Sequence, residues 1–361
     1  MNIKLLTSAM GLGTYVPALH LREYFRQQGY TVTMDVFENY FSEEVLAKYL
    51  KNKREYHKSF KVAKLGHKLA QKKLGTALEE EMIDAISKKW EKEKVQKLVI
   101  LSGNWIPVVE QYRMQIHDDS SLCAVIVHMD IGTAPSWSNF SNPDLFYKEI
   151  LPIDETGVQY IFEVPVPKED TSVPKEKPVF NIHGGGWGMG DYRERKQEIQ
   201  AAMDCHMFVL AHEQEEMIQE KDVQYILMDT RWKPWIADES GEYEFPVMLD
   251  GETGKKLENQ SMHDLYQIYK QCDAVISKPG GGTMLDGIAC EVPIVFLEPV
   301  AEHERKNQEA YEKLGLGISF SKWKESGYSL EILSELREKI RKNKKGKLGL
   351  GAYIETLWME K

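Results

Sequence analysis

Along the first 35 positions apolar residues change their spacing twice. Ile3 to Thr7 reads as a strand, Gly11-Leu12-Gly13 as a turn, Pro17 to Gln28 as a helix with an apolar stripe, and Tyr30 to Met34 as a second strand. That order opens an α/β unit. Helical spacing then dominates from Ser42 to Lys94. The continuous apolar runs Leu98 to Leu101 and Leu122 to Val127 predict parallel strands buried on both faces. The first domain, residues 1–165, is therefore expected to be doubly wound. Proline and charge replace large apolar groups between Val164 and Pro178, which puts an interdomain linker at 166–178. A second α/β domain, 179–345, follows, with strands at Val179 to Ile182, Met207 to Leu210, Val223 to Met228, Ala274 to Ser277 and Pro293 to Leu297. The last segment, 346–361, carries a helix near Ala352 to Met359 that is expected to cross back onto the first domain. There is no internal repeat and no low-complexity tract.

Composition narrows the class. A chain of 361 residues, 42% hydrophobic and 28% charged, has the balance of a globular protein with two cores. Its four cysteines, Cys123, Cys205, Cys272 and Cys290, contain no C-x-x-C pair, which argues against a zinc knuckle or a disulfide framework and for a reducing, cytoplasmic setting. The first residues run straight into a strand, without the apolar stretch of a signal peptide or membrane span. A net charge of −10 disfavours nucleic-acid binding. The exception is Lys51 to Lys73, where lysines and Arg54 face only Glu55 and interleave with Tyr56, Phe60, Ala63, Leu65 and Leu69. At helical spacing this gives an apolar stripe flanked by positive charge, suited to peripheral contact with an anionic membrane at its inner face, or to a solvated soluble helix.

Two glycine loops carry the chemistry. Phe180 to His183 leads into Gly184-Gly185-Gly186-Trp187-Gly188-Met189-Gly190 and a helix from about Tyr192. Absent side chains let backbone N–H groups approach a diphosphate at a helix N-terminus; the same loop also serves as a plain strand-to-helix turn. His183-Gly184-Gly185-Gly186 is similar to an esterase oxyanion loop, but no G-x-S-x-G elbow accompanies it. The P-loop signature and a complete G-x-G-x-x-G are absent, which disfavours kinases and dehydrogenases. In the second loop, Asp273 to Asp286, Lys278 offers a point charge, Gly280, Gly281 and Gly282 an open backbone, Thr283 a hydroxyl at the helix start and Asp286 an acceptor for ribose hydroxyls. A carboxylate that complements the helix dipole is the alternative for Asp286.

These blocks resemble the GT-B glycosyltransferases, in particular monogalactosyldiacylglycerol synthases, processive diacylglycerol glycosyltransferases and the bacterial lipid II GlcNAc transferase. Met10 to Ala18 resembles the first N-domain loop, with Gly11, Gly13 and Thr14 on the acceptor side. Asp130 to Trp137 resembles the D-L-G-T…P-T-W stretch of the galactolipid synthases, Gly184 to Gly190 their G-G-G-x-G-M-G loop, and Lys278 to Asp286 their K-A-G-P-G-T-x-x-E. The resemblance implies two Rossmann-like domains facing a cleft. Acceptor would bind the first and a UDP-sugar donor the second, and a hexosyl or N-acetylhexosaminyl group would pass with inversion to a hydroxyl or amine of a small-molecule or lipid acceptor. Lys278 and Thr283 would contact the diphosphate, Asp286 the ribose, and His303 and Glu304 the sugar hydroxyls, with Asn307 nearby on the donor side. No metal and no cofactor beyond the donor is expected. Asp286 stands where the family has Glu, one methylene shorter, and Thr14 stands where a histidine base is usual. Asp130, then His128, are left as candidate bases at the end of an N-domain strand, each with a structural alternative as turn cap or packed ring. A sugar-nucleotide 2-epimerase and a noncatalytic partner protein remain competing readings.

Overall fold

Alternation of buried residues across two sheets organises the chain into layers. The computed structural model describes residues 2–70, 78–116, 121–163, 176–257 and 265–359, so most of the linker expected at 166–178, together with Lys72 and Lys73, lies outside the described residues. Five parallel strands, β1 (Asn2–Thr7), β2 (Thr31–Val36), β3 (Lys97–Ile100), β4 (Cys123–Val127) and β5 (Tyr147–Ile150), form the first sheet in the order β2-β1-β3-β4-β5. Leu6, Leu98, Ile100, Ala124 and Ile126 face one core, and Leu5, Val99, Val125 and Val127 the other. The helices of this half are α1 (Tyr15–Gln27), α2 (Glu43–Lys58), α3 (Phe60–Ala70), α4 (Glu80–Glu93) and α5 (Ile106–Gln115). Two short pairings follow, β6 (Ile153–Asp154) with β7 (Gly157–Val158), then β8 (Tyr160–Ile161), whose partner comes near the end of the chain.

The second sheet is built from β9 (Val179–Ile182), β10 (His206–Ala211), β11 (Val223–Met228), β12 (Met248–Asp250), β13 (Ala274–Ser277), β14 (Ile294–Phe296) and β15 (Gly317–Ser319). Its order is β12-β11-β10-β9-β13-β14-β15, parallel except for the edge strand β12. With it go α6 (Tyr192–Ala202), α7 (Leu265–Gln271), α8 (Gly281–Cys290), α9 (Glu302–Leu314), α10 (Phe320–Glu325) and α11 (Leu330–Lys344). Phe180, Ile182, Val209 and Ile276 fill the outer core, while Leu210, Ile226, Val275 and Ile294 belong to the cluster that continues into the first half.

The strand order reverses beside β1 in one sheet and between β9 and β13 in the other. Ligands of open α/β sheets sit outside the carboxyl ends of strands at such switch points. Both glycine-rich segments of the second half leave their sheet there.

The chain then returns. β16 (Leu348–Gly349) pairs in parallel with β8, and α12 (Leu350–Met359) packs on α1. Trp358 lies 5.1 Å from Phe25 between ring centroids, and Tyr24 donates to Glu355 at 2.7 Å. Glu163 caps α12 by accepting from Gly351 N at 2.9 Å and Ala352 N at 3.1 Å, a carboxylate at the favoured end of the helix dipole.

Candidate active site

Four strand ends supply the site. After β1 the chain makes a short turn with Gly11 at φ +70° and Leu12 at φ +63°. Glu38 holds that turn from below, accepting from Ser8 Oγ at 2.5 Å and Ala9 N at 2.7 Å, and burial pushes its carboxyl above the usual range. Thr14 lines the cleft, but its hydroxyl is spent on the turn itself. It donates to Ser8 O at 2.9 Å and accepts from Thr7 Oγ1 at 3.1 Å and Ser8 N at 3.3 Å.

The end of β4 separates the two candidate bases. His128 is turned aside, with Nε2 2.9 Å from Glu149 and its ring 4.8 Å from that of Trp137, and it does not line the cleft. Asp130 does line it. One of its oxygens accepts from Asn307 Nδ2 at 2.7 Å and from Gly281 N at 3.2 Å, the latter at the first turn of α8. Asn307, expected near the sugar, is fully buried. Its amide is used up by Asp130, by Pro279 O at 2.9 Å and by Ile131 N at 2.8 Å, so it clamps the two halves together.

After β9, Gly185 and Gly188 take φ +72° and +61°, conformations that disfavour any side chain. His183 accepts from Gly185 N at 3.0 Å and lies 2.9 Å from the Tyr269 hydroxyl, which fixes the start of the loop. After β13, Lys278 is buried beneath this loop, about where a Cβ on Gly185 would lie 3.9 Å from its Nζ. Its ammonium pairs with Glu304 at 2.8 Å, and the other Glu304 oxygen accepts from Val300 N at 2.7 Å. Burial opposes ionisation of Glu304, yet the Lys278 charge holds the carboxyl below its ordinary value. Gly280 caps α8 without a side chain, leaving the N–H groups of its first turn to Asp130 and the cleft. Asp286, one turn on, accepts from the Tyr266 hydroxyl at 2.6 Å, and burial pushes its pKa up to about 7.

Together these loops enclose a cleft of about 830 Å³ shared by both halves. Gly11, Gly13, Thr14, Asp130, Gly184 to Gly186, Lys278, Gly280 to Gly282, Thr283, Asp286, His303 and Glu304 line it; Gly188, His128 and Asn307 do not. The halves meet backbone to backbone. A Cβ on Gly186 would stand 2.4 Å from Gly11 O, one on Gly281 2.1 Å from Met129 O, and one on Gly132 2.7 Å from the His303 Cα.

No family profile matches the chain. Two curated relatives, the processive diacylglycerol beta-glucosyltransferases of Bacillus subtilis (strain 168) and Bacillus pumilus (strain SAFR-032), are each 28% identical to it, over 98 and 78 residues. Those matches cover 27% and 22% of this chain and only 26% and 20% of the relatives. Likeness to solved structures extends over the whole chain. MurG of Acinetobacter baumannii superposes with a TM-score of 0.55 at 13% identity, covering 100% of this chain and 99% of that one. The glycosyltransferase SsfS6 of Streptomyces sp. SF2575, solved with thymidine diphosphate, gives 0.56 at 12%, covering 99% of each chain. The calicheamicin glycosyltransferase CalG4 gives 0.56 at 11%, covering 100% of this chain and 99% of that one. The chain has the GT-B fold.

Within this GT-B frame the α2–α3 hairpin holds residues that sequence reading passed over. His57 lies with Nδ1 2.9 Å from Gly188 O and Nε2 2.8 Å from Glu216. Tyr49 packs its ring 5.2 Å from that of Trp187, so α2 grips the glycine loop of the other half. From α3, Lys64 pairs with Glu298, and His67 enters the cleft. The only advance signal was two histidines inside a lysine-rich amphipathic stretch, and the pattern there says that a face is covered without saying by what.

Proposed function

We propose that the protein transfers a hexosyl or N-acetylhexosaminyl group from a UDP-sugar to a hydroxyl or amine, with inversion. The observation that carries this is the first turn of α8, whose N–H groups open on the cleft opposite Gly184 to Gly186, above Lys278 and one turn before Asp286. Free N–H groups at a helix N-terminus and a buried ammonium suit a diphosphate, whose charge they would stabilise as it leaves. The reading therefore needs no metal. Asp286, which lines the same cleft, would meet ribose hydroxyls beyond the phosphates. That SsfS6 was solved with thymidine diphosphate supports a nucleoside diphosphate in this fold; uracil follows the sequence resemblance.

For the acceptor we favour a lipid. The described part of α3 turns Val62 and Leu65, 41% and 59% exposed, outward beside Lys61 and Lys68. The partial relatives are named as diacylglycerol enzymes, and no described helix is long and apolar enough to cross a membrane. A protein working from the cytoplasmic face, held peripherally by this basic apolar strip, accounts for all three. Calorimetric titration with UDP, TDP and GDP, followed by nucleotide release from UDP-glucose and UDP-N-acetylglucosamine with and without diacylglycerol in anionic micelles, tests the reading. Acceptor-dependent UDP release is expected. Epimerised donor without transfer, or no nucleotide binding at all, sinks it.

A further inference from the structure

We propose that His67, carried by α3 into the cleft, is the base that takes the proton from the acceptor nucleophile. The proposal rests on the glycosyl-transfer reading above. Its ground is the position of the ring. Nε2 of His67 is buried in the cleft wall with no hydrogen-bond partner among the described residues. The turn that presents it is seated by close contacts. Ala63 is fully buried, and a Cβ on Gly66 would fall 2.0 Å from the Tyr56 hydroxyl oxygen, so glycine there lets the Tyr56 ring lie against α3. The Tyr56 ring stands 6.0 Å from the imidazole, and Lys64, one turn earlier, pairs with Glu298 of the other half.

The other candidates are engaged in part or in full, or belong to the donor half. The Thr14 hydroxyl closes its own turn. His128 is held by Glu149 away from the cleft. Asp130 spends one oxygen on Asn307 and Gly281, and it brings negative charge to the helix end where phosphates are expected. His303 also has a buried, unpartnered ring nitrogen, but it belongs to α9 on the donor half. Inversion needs the proton acceptor on the face of the sugar away from the leaving diphosphate. Of the two imidazoles, His67 comes from the acceptor half.

The step balances without a further reactant. The acceptor oxygen forms its bond to the sugar C1 as the C1–O bond to the diphosphate breaks, the bonding pair leaves with UDP, and the acceptor proton passes to His67 Nε2 and then to solvent. Burial and the Lys278 charge hold the imidazole down to about 4, with Glu304 pulling the other way and His303 adding to the depression. Tyr56 on α2 is the remaining titratable neighbour in ring contact. A bound diphosphate offsets the Lys278 charge, which lets the imidazole pKa rise back towards its ordinary value. Donor binding thus prepares the base.

Two measurements test this. With labelled histidine in the full-length protein, the NMR titration of His67 should move up by about 1 pH unit or more on saturation with UDP; an unmoved titration overturns the proposal. In the UDP-release assay, His67→Ala should lower kcat about 10²- to 10⁴-fold with donor KM and UDP affinity unchanged, and added imidazole should restore part of the rate. His67→Gln, which keeps the shape without the base, should lose as much. Loss of less than about threefold in both variants overturns it, as does full loss in Asp130→Asn or His303→Ala with His67→Ala active. A wild-type protein that binds UDP and shifts His67 but releases no UDP to any acceptor refutes the transfer reading and the base with it.

Discussion

Gly281→Ala is the sharpest probe of how the two halves meet. The added Cβ would lie 2.1 Å from Met129 O, 2.6 Å from the same carbonyl carbon and 3.0 Å from Asp130 Oδ1. A carbon needs roughly 1 Å or more of extra room there to reach ordinary van der Waals contact. The obstacle is backbone, so it cannot rotate away, and the loop after β4 must retreat from α8. That costs about 1 to 3 kcal/mol on the scale of overpacked interiors, a 5- to 150-fold loss in the population of the closed form. Within α8 itself alanine is the better helix former by about 1 kcal/mol, so neither sheet should unfold more easily. Hydrogen exchange reads the difference. The Ile131 amide, which donates to Asn307 of the other half at 2.8 Å, should exchange faster by that factor, with amides of β4 and β13 unchanged. Wild-type protection of Ile131 in a correctly folded Gly281→Ala protein would show that the glycine is not there for close approach.

Asp286, raised to about 7 against an ordinary value near 4, stays neutral in the folded chain where the unfolded chain ionises; its cost is absent below about pH 4, grows as pH rises and is complete above about pH 7. Asp286→Asn should therefore be more stable than wild type at pH 8 by on the order of 1 to 4 kcal/mol in urea unfolding, with the gap closing near pH 4; equal gaps at both values would refute the assignment. Glu304→Ala strands the buried Lys278 ammonium and should cost about 3 to 5 kcal/mol, part of which the double variant with Lys278→Met recovers. A double variant less stable than the single would contradict the buried pair. Glu216 is held well below the usual carboxylate range despite burial, by His57, Tyr192 and Arg193. Its stabilisation is present above about pH 4 and falls away as pH drops, so the acid-side decline in melting temperature should be shallower in Glu216→Gln.

Continuous apolar runs made the central strands readable. β9, β11 and β13 lie where the pattern places them, because a strand covered on both faces needs apolar residues at every position. Of the edge strands, β2 was read but β5, β12 and β15 were not. Tyr147–Ile150 alternates buried and exposed over only four residues, and Met248–Asp250 is three residues long, too short for a period to show. The glycine loops were legible as loops, but their demand for glycine was assigned to phosphate alone. Part of that demand, at Gly186 and Gly281, comes from Gly11 and Met129 on the facing domain, partners more than 150 positions away that no local spacing encodes. The α2–α3 hairpin failed for the same reason. Its stripe announced a covered face, and the structure shows the cover to be the donor-side loop at Gly188 and the segment around Glu298 as well as solvent.

The return of the chain through β16 onto β8 has a mechanical meaning. The segment that leaves the first half and the one that returns to it are hydrogen-bonded to each other at β8 and β16, and α12 is pinned to α1 by Glu355 and Trp358, so the return is a strap rather than a loose tether. The two halves are thereby joined at a paired seam, and the close backbone approaches of Gly186 to Gly11 and of Gly281 to Met129 are set against that seam in one register.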